Sequence, residues 1–459
     1  MRAEHPPRTI TYRCLFASVI ALAFLVRLWV ANDWHSKAET DSQHFRLGDS
    51  HSYWTLGGEI ARGRPYQYGS PNASIFRAPL YPLFLSPWTL VTPESEGIWR
   101  ARLMGCALGT LAVWLLMLLA GQLHPSPTPL LAGLLAALYP GAVGMSVVIL
   151  SEAVFCPLMI VHLICWCQAW KSESFFARLS FGLAGGLAAG AAVLARPSWL
   201  LFTPFLGACG ILLGGKKPAS RWRHLQIMIS TVIGLSICMM PWWIRNAQQT
   251  GRFVLTTLQV GPSLYDGLHA GATGGSDEGM QFMRQFAAEQ RLSDANSTSE
   301  LDGTFEYRLN IRAQQAALLW ASQNPGEVLR LAIAKFSKTW TLWPDGGEIG
   351  SVSIRVGLTL GCFGILTLAL IASKRAITDS GWLALLCWMP CIYFTLLHMV
   401  FVGSIRYREP ALLVLCALAA VTLDRMVEFI GVCKNCIPTD AKRGISSEPK
   451  PSLNRFSSQ

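Results

Sequence analysis

The residues of this chain best suited to chemistry lie just beyond the ends of long apolar stretches. Gly48-Asp49-Ser50-His51-Ser52-Tyr53 puts a carboxylate and a phenol soon after the first stretch. Arg77-Ala78-Pro79-Leu80-Tyr81-Pro82 follows, with two prolines fixing the direction of the backbone. Leu150-Ser151-Glu152 supplies a second carboxylate, and Arg196-Pro197, Trp242-Trp243-Ile244-Arg245-Asn246 and Arg406-Tyr407-Arg408 supply guanidinium groups at three further boundaries. A carboxylate offers proton transfer, and guanidinium groups offer binding of an anion. Taken singly, an aspartate in a loop is usually just solvated, and an arginine at a helix end usually anchors to lipid headgroups. Charges at membrane depth are costly and tend to line a cavity or pair with one another, so their shared level points to one polar site.

The elements that must position these groups are membrane helices. Of the 459 residues 52% are hydrophobic and 14% charged, against roughly 25% charged in an average soluble domain. A hydrocarbon core about 30 Å thick takes roughly 20 apolar residues as helix, because no backbone polar group can be left unpaired in lipid. The sequence therefore reads as an all-α polytopic membrane protein with about ten transmembrane helices. They are placed near residues 10–31, 99–123, 128–145, 152–170, 178–195, 198–213, 225–244, 351–373, 381–401 and 410–430. The Ala/Gly-rich run 182–195 reads as a tightly packed internal helix. Arg2, Arg8 and Arg13 would also suit the basic end of a signal peptide, but no small-residue cleavage site follows, which favours an uncleaved helix.

Short-loop basic residues favour the cytoplasm. With the N-terminus inside, alternation puts Lys171 and Arg178, then Lys216, Lys217, Arg221 and Arg223, then Lys374 and Arg375, and finally Lys434, Lys442, Arg443, Lys450 and Arg455 on the cytoplasmic side. The net charge of +11 is largely these anchors, so it does not indicate nucleic acid as a partner. The resulting organisation is a cytoplasmic N-terminus and first helix (1–31), a first extracytoplasmic loop (32–98), helices two to seven (99–244), a second extracytoplasmic region (245–350), helices eight to ten (351–430) and a disordered cytoplasmic tail (431–459).

None of the 13 cysteines falls in either outer segment, so no disulfide framework holds them. Cys165, Cys167, Cys387 and Cys391 read as small apolar residues within spans, and Cys433-Lys-Asn-Cys436 has redox or zinc spacing but stands alone. The glycine-rich stretch 267–279 contains no GxGxxG arrangement. Helical patterns follow over 278–291 and 301–322, the second stopped by Asn324-Pro325-Gly326. The stretch 327–343 interleaves Leu329, Leu331, Ile333 and Phe336 with Arg330, Lys335 and Lys338 and closes on Trp340 and Trp343, an amphipathic helix suited to the membrane surface. Asn72 and Asn296 begin glycosylation triplets on the outer side.

At these residues the sequence resembles the polyprenyl-phosphate-sugar-dependent glycosyltransferases of the GT-C superfamily, in particular the branch of protein mannosyltransferases and lipid A aminoarabinose transferases. The resemblance lies in segment 49–66, Arg77-Ala78-Pro79-Leu80-Tyr81-Pro82, Ser151-Glu152, Arg196-Pro197 and Pro241-Trp242-Trp243-Ile244-Arg245-Asn246, in order over nearly the whole chain. It departs where many members carry a second acidic residue beside the first-loop aspartate; here Ser50 follows Asp49.

The resemblance implies an inverting glycosyltransferase, moving a hexosyl or pentosyl unit from a polyprenyl-phosphate donor to a protein, lipid or glycan acceptor on the extracytoplasmic face. It implies Asp49 as general base, Arg77, Arg245 and Arg406 on the donor phosphate, and Tyr53, Tyr81, Glu152, Arg196 and Tyr407 around the pocket. No cofactor is expected, and no metal, since the outer loops hold no cluster with metal-ligand spacing. A bacterial inner membrane with the site facing outward is the expected location. A transporter or flippase of a lipid-linked substrate is the alternative; it would show interrupted helices and mid-membrane polar groups. A third reading, a non-catalytic scaffold, expects Asp49 to tolerate change to Asn.

Overall fold

The computed structural model describes residues 9–40, 44–45, 48–70, 73–125, 127–213, 218–277, 279–345, 351–379 and 381–436. Among them every regular element is helical. The first span is α1 (Thr9–Thr40), and the segment that follows it folds as α2 (Gly48–Ala61) and α3 (Leu80–Leu85). Then come α4 (Glu94–Leu123), α5 (Thr128–Leu138), α6 (Pro140–Val147), α7 (Glu152–Lys171), α8 (Phe175–Ala195), α9 (Phe202–Leu213) and α10 (Pro218–Thr250). The long segment after α10 holds α11 (Val260–Gly267), α12 (Phe282–Ala295), α13 (Phe305–Gln323) and α14 (Pro325–Trp340). The chain finishes with α15 (Val352–Asp379), α16 (Trp382–Val400) and α17 (Glu409–Cys436).

All ten apolar stretches are helical, and among the described residues eight helices are long and apolar enough to cross a membrane. The α5–α6 pair makes nine if it is one bent span, and Pro197–Leu213 is a shorter apolar helix. Several helices outrun their expected ends. Helix α1 continues nine residues past 31, α4 starts at Glu94 rather than 99, and α17 reaches Cys436, because helical hydrogen bonding does not stop where the hydrocarbon does. The rest of the tail, the side chains of Cys433 and Cys436, Lys216, Lys217 and Asn72 lie outside the described residues.

Two features of the bundle fix the level of the outer ends. The small residues of α8 face α10, and at Gly186 a Cβ would overlap the Thr231 carbonyl and Gly234 of α10. Such close backbone approach is what small residues permit in a bilayer, and it fixes the end of α8, with Arg196, relative to the end of α10, with Arg245. Helix α17 is buried almost throughout from Ala411 to Val421, so its first turn has little freedom.

The stretch 128–145 departs from the single span read in the sequence. It breaks at Tyr139-Pro140 with a bend of 62°. Proline has no N–H and its ring clashes with the preceding turn. Buried arginines satisfy a carbonyl at the end of each half. Arg27 of α1 donates to the Ala136 carbonyl at 3.3 Å and to Ser146 Oγ at 3.1 Å, and Arg102 of α4 donates to the Val147 carbonyl at 3.2 Å. Cations suit helix C-termini, whose last carbonyls have no intrahelical donors. The break therefore delivers Ser151 and Glu152 at a fixed position.

Candidate active site

Helix α2 starts at Gly48, so Asp49 sits in its first turn, where a carboxylate is favoured by the helix dipole. The carboxylate is held from two directions: Arg77 Nη2 lies 2.5 Å from Oδ1 and Arg406 Nη1 lies 2.8 Å from Oδ2. Arg77 also donates from Nε to Ser52 Oγ at 3.2 Å, one helical turn on from Asp49. Its guanidinium lies over the rings of Phe76 at 4.6 Å and Tyr53 at 5.4 Å.

Arg406 is shared. Its Nε and Nη2 meet Glu152 Oε1 and Oε2 at 2.5 and 3.1 Å, a two-pronged contact, while Nη1 turns to Asp49. Glu152 Oε1 also accepts from Arg196 Nη1 at 2.5 Å. The five groups form one chain: Arg77, Asp49, Arg406, Glu152, Arg196. Three guanidinium groups and two carboxylates leave one net positive charge.

Exposure runs along the chain and separates the two acids. The Glu152 side chain is 0% exposed and that of Asp49 is 32% exposed. Only Asp49 can meet a group arriving from outside, and Glu152 serves to hold Arg406 and Arg196. Burial alone would raise the Asp49 carboxyl, but Arg77 and then Arg406 more than offset it and hold the group below the usual carboxylate range. It is therefore ionised at neutral pH and engaged by two cations.

The aromatic residues expected around the pocket surround this chain. Tyr81 is buried edge-on at 5.1 Å against Tyr53, the ring that lies under Arg77. Tyr407 lies under Arg196 at 5.3 Å and stacks on His398 with ring centres 3.9 Å apart. Arg245 stands apart from the carboxylates: its Nη2 donates to the carbonyls of Ser74 at 3.0 Å and Tyr66 at 3.4 Å, and it lies over the Trp242 ring at 4.8 Å. It thus fastens the loop leading to Arg77. Among the described residues no group of three or more His, Cys, Asp or Glu is placed to hold a metal ion.

Sequence reasoning missed His398, Ser52, and the two outer-segment residues Glu306 and Lys335. None carries a local signal: a glutamate near the start of α13 reads as helix dipole compensation, and Lys335 reads as one of the basic residues of an amphipathic helix on the membrane surface. The glycine-rich stretch 267–279 folds back on α11, where the Asp266 carboxylate accepts from Ser276 Oγ at 2.8 Å and from the Asp277 N–H at 3.0 Å. Its Gly274 adopts a left-handed φ of +88 and its carbonyl accepts from Gly403 N–H at 2.8 Å, close against Ala334. A side chain there would be strained as well as crowded.

No protein-family model and no curated protein matches the chain. Solved structures do. The oligosaccharyltransferase of Archaeoglobus fulgidus in its apo form aligns with 93% of this chain and 52% of its own, at a TM-score of 0.55 and 14% identity. The Archaeoglobus fulgidus oligosaccharyltransferase AglB with an inhibitory peptide and a dolichol-phosphate aligns with 94% of this chain and 52% of its own, at a TM-score of 0.53 and 12% identity. ArnT from Cupriavidus metallidurans bound to undecaprenyl phosphate aligns with 94% of this chain and 81% of its own, at a TM-score of 0.40 and 14% identity.

The chain is thus a polytopic membrane protein, all-helical over its described residues, that shares the fold of the archaeal oligosaccharyltransferase. It spans about half the length of those archaeal structures.

Proposed function

We propose that the protein is an inverting glycosyltransferase that moves a sugar from a polyprenyl-phosphate donor to an acceptor hydroxyl at the extracytoplasmic face. The observation that carries this is the partly exposed Asp49 held between Arg77 and Arg406, with a net positive charge along the whole chain of ion pairs. The fold shared with an oligosaccharyltransferase supports it.

The geometry suggests how the residues work. Before donor binds, the two arginines blunt Asp49 by holding it ionised and engaged. A donor phosphate competes for Arg77 and Arg406, whose planar forks match phosphate oxygens. As it takes up those N–H groups, Asp49 loses its cations and becomes the stronger base. The acceptor oxygen then attacks the anomeric carbon and its proton passes to an Asp49 oxygen. The bond from the anomeric carbon to the phosphate oxygen breaks, and the polyprenyl phosphate leaves as an anion stabilised by the same arginines. Glu152 and Arg196 keep Arg406 aimed at the reacting centre. One displacement inverts the anomeric configuration.

Replacement of Arg77 by Lys is expected to weaken transfer less than replacement by Ala, since lysine keeps the charge and loses the fork. Arg245→Lys should be similarly mild and Arg245→Ala stronger, in its case because the Ser74 carbonyl loses its donor. Steady-state transfer of labelled sugar from polyprenyl phosphate checks both; wild-type rates in the two Ala variants would show that neither arginine is needed for transfer.

The topology proposed with this reading has ten crossings and both termini in the cytoplasm. The two shorter apolar stretches run between the ends of α7. Arg196 pairs with Glu152 at the start of α7, while Arg223 donates to the Trp170 carbonyl at its end, so 197–213 passes from one level to the other. A cysteine at Ser276 should react with an impermeant thiol reagent in intact cells and one at Ser220 should not. The opposite pattern removes the site from the outer face.

One observation favours transport as a second reading. The broken α5–α6 span with the buried Arg27 beside it is an interrupted helix with a polar group inside the bundle. That reading requires uptake or flipping of a lipid-linked substrate that survives Asp49→Asn.

A further inference from the structure

The two arginines that hold Asp49 arrive on connecting segments, and both segments are gripped by the second outer region. On the Arg77 side, the Glu306 carboxylate at the start of α13 accepts from the Ser74 N–H at 2.8 Å and from the Ile75 N–H at 3.1 Å. The Ser74 carbonyl takes Arg245 Nη2 at 3.0 Å, and the Ile75 carbonyl takes the Leu258 N–H at 3.0 Å. All four backbone polar groups of these two residues are thus bound by residues distant in sequence, and Arg77 follows two positions on. On the Arg406 side, Lys335 of α14 is fully buried and its Nζ donates to the carbonyl of Val400, the last residue of α16, at 2.6 Å. Gly403, between Val400 and Arg406, donates to Gly274 at 2.8 Å and packs against the Lys335 backbone.

We propose that Glu306 and Lys335 are positioning residues: they set the segments that deliver Arg77 and Arg406 to Asp49, and Glu306 makes the Arg77 segment responsive to pH. This rests on the reading of the two arginines as the anion-binding groups of a transferase.

The pH response has a definite sign. Burial pushes the Glu306 carboxyl up to about 7, against the pull of the Ile75 and Ser74 N–H groups and of Arg245. Arg245 is the charged group facing it from α10, and Arg77 lies two residues beyond the gripped segment. The nearby Tyr66 phenol is pushed far above its usual range by burial and stays neutral. Above about 7 the carboxylate is ionised and its bonds to the two N–H groups are charge-assisted, roughly twice as strong as neutral ones. As pH falls through that value the grip weakens. Lys335 is pushed down to about 8 by burial, opposed by Asp266 of α11, but a neutral amine still donates to Val400, so its loss of charge alone matters less.

Amide hydrogen exchange of the full-length protein in lipid nanodiscs, read on peptides covering 73–77 and 400–406, tests this. After correction for intrinsic rates, wild-type protection of 73–77 should drop about tenfold from about pH 8 to about pH 6, as charge-assisted bonds become neutral ones. Glu306→Gln should show the low value at both pH values, because one amide hydrogen now faces a backbone donor. Lys335→Met should expose 400–406 and leave 73–77 protected. Protection in the wild-type protein that ignores pH, or a Glu306→Gln protein as protected as the wild type near pH 8, overturns the proposal, and the wild-type comparison stands even if the variants fold poorly. Transfer measurements separate this from the functional reading. If exchange behaves as stated while no polyprenyl-phosphate sugar is transferred, the positioning role holds and the transferase reading falls. If transfer occurs and Glu306→Gln keeps the wild-type acid limb of kcat/KM, the positioning role is wrong.

Discussion

Asp49→Asn is expected to fold, to bind polyprenyl phosphate at least as tightly as the wild type, and to transfer sugar at least about a hundredfold more slowly, the lower end for loss of a general base. The substitution keeps size and shape. Its one acceptor oxygen can retain a single arginine contact, while the amide nitrogen turns a donor toward the other guanidinium. Two cations are thereby partly released. Because Asp49 competes with the donor phosphate for Arg77 and Arg406, removing its charge favours the anion, so KM for donor should stay level or fall while kcat collapses. That split distinguishes a base from a residue that merely shapes the pocket. Glu59 is the control: its nearest cation is Arg64 at 3.9 Å, outside the chain of ion pairs, and Glu59→Gln should keep most of the rate. Asp41, the other acidic control in the loop, lies outside the described residues. Near-normal transfer by Asp49→Asn, with expression matched, removes it as the base. A large loss at Glu59 instead would move the site one helix face away.

Arg406→Ala is expected to damage both stability and turnover, because one guanidinium serves two carboxylates. Truncating it strips Asp49 of one partner and Glu152 of its two-pronged one, and Glu152 is wholly inaccessible to water. Removing one partner of a buried ion pair costs about 3–5 kcal/mol, because the remaining charge is left uncompensated. Arg196 still reaches Glu152, which puts the expected loss toward the lower end of that range. Arg406→Lys keeps a charge but cannot bridge both acids, so it should fall between wild type and Ala. Adding Glu152→Gln to Arg406→Ala removes the stranded charge and should recover part of the lost thermal stability with no recovery of transfer. Thermal unfolding of the purified variants, run alongside transfer, reads both effects. An Arg406→Ala protein with wild-type unfolding temperature and rate would mean that the shared contact has no role.

The membrane helices were legible because lipid imposes one rule, that every backbone polar group be satisfied within the segment, and only a long apolar helix obeys it. The ends were not legible to the residue: α1 and α10 run on past the apolar stretch, and the added turns of α10 carry the buried Asn246 and Thr250. Nor was the break in 128–145, since Tyr139-Pro140 in an apolar run reads as a tolerated kink until Arg27 is seen on the freed Ala136 carbonyl. Of the candidate site, Asp49, Arg77, Glu152, Arg196 and Arg406 were all found from their place at helix boundaries, and they meet. Arg245 was found by the same reasoning and binds backbone carbonyls instead, because position at a boundary gives the level of a side chain and not its partner.

The sequence by itself determined that this is a polytopic helical protein, which face its charges share, and which acids and arginines occupy that face. Those properties follow from composition and hydropathy along the chain, which need no knowledge of distant contacts. Tertiary structure alone decided that Arg406 is shared by two carboxylates, that Glu152 is sealed while Asp49 is reachable, and that Glu306 and Lys335 hold the segments bearing the arginines. Asp49 and Arg406 are 357 positions apart, and Ile75 and Glu306 are 231 apart. No local pattern encodes pairings at such separations; they exist because the bundle brings these helix ends to one level, where a buried charge is stable only against opposite charges.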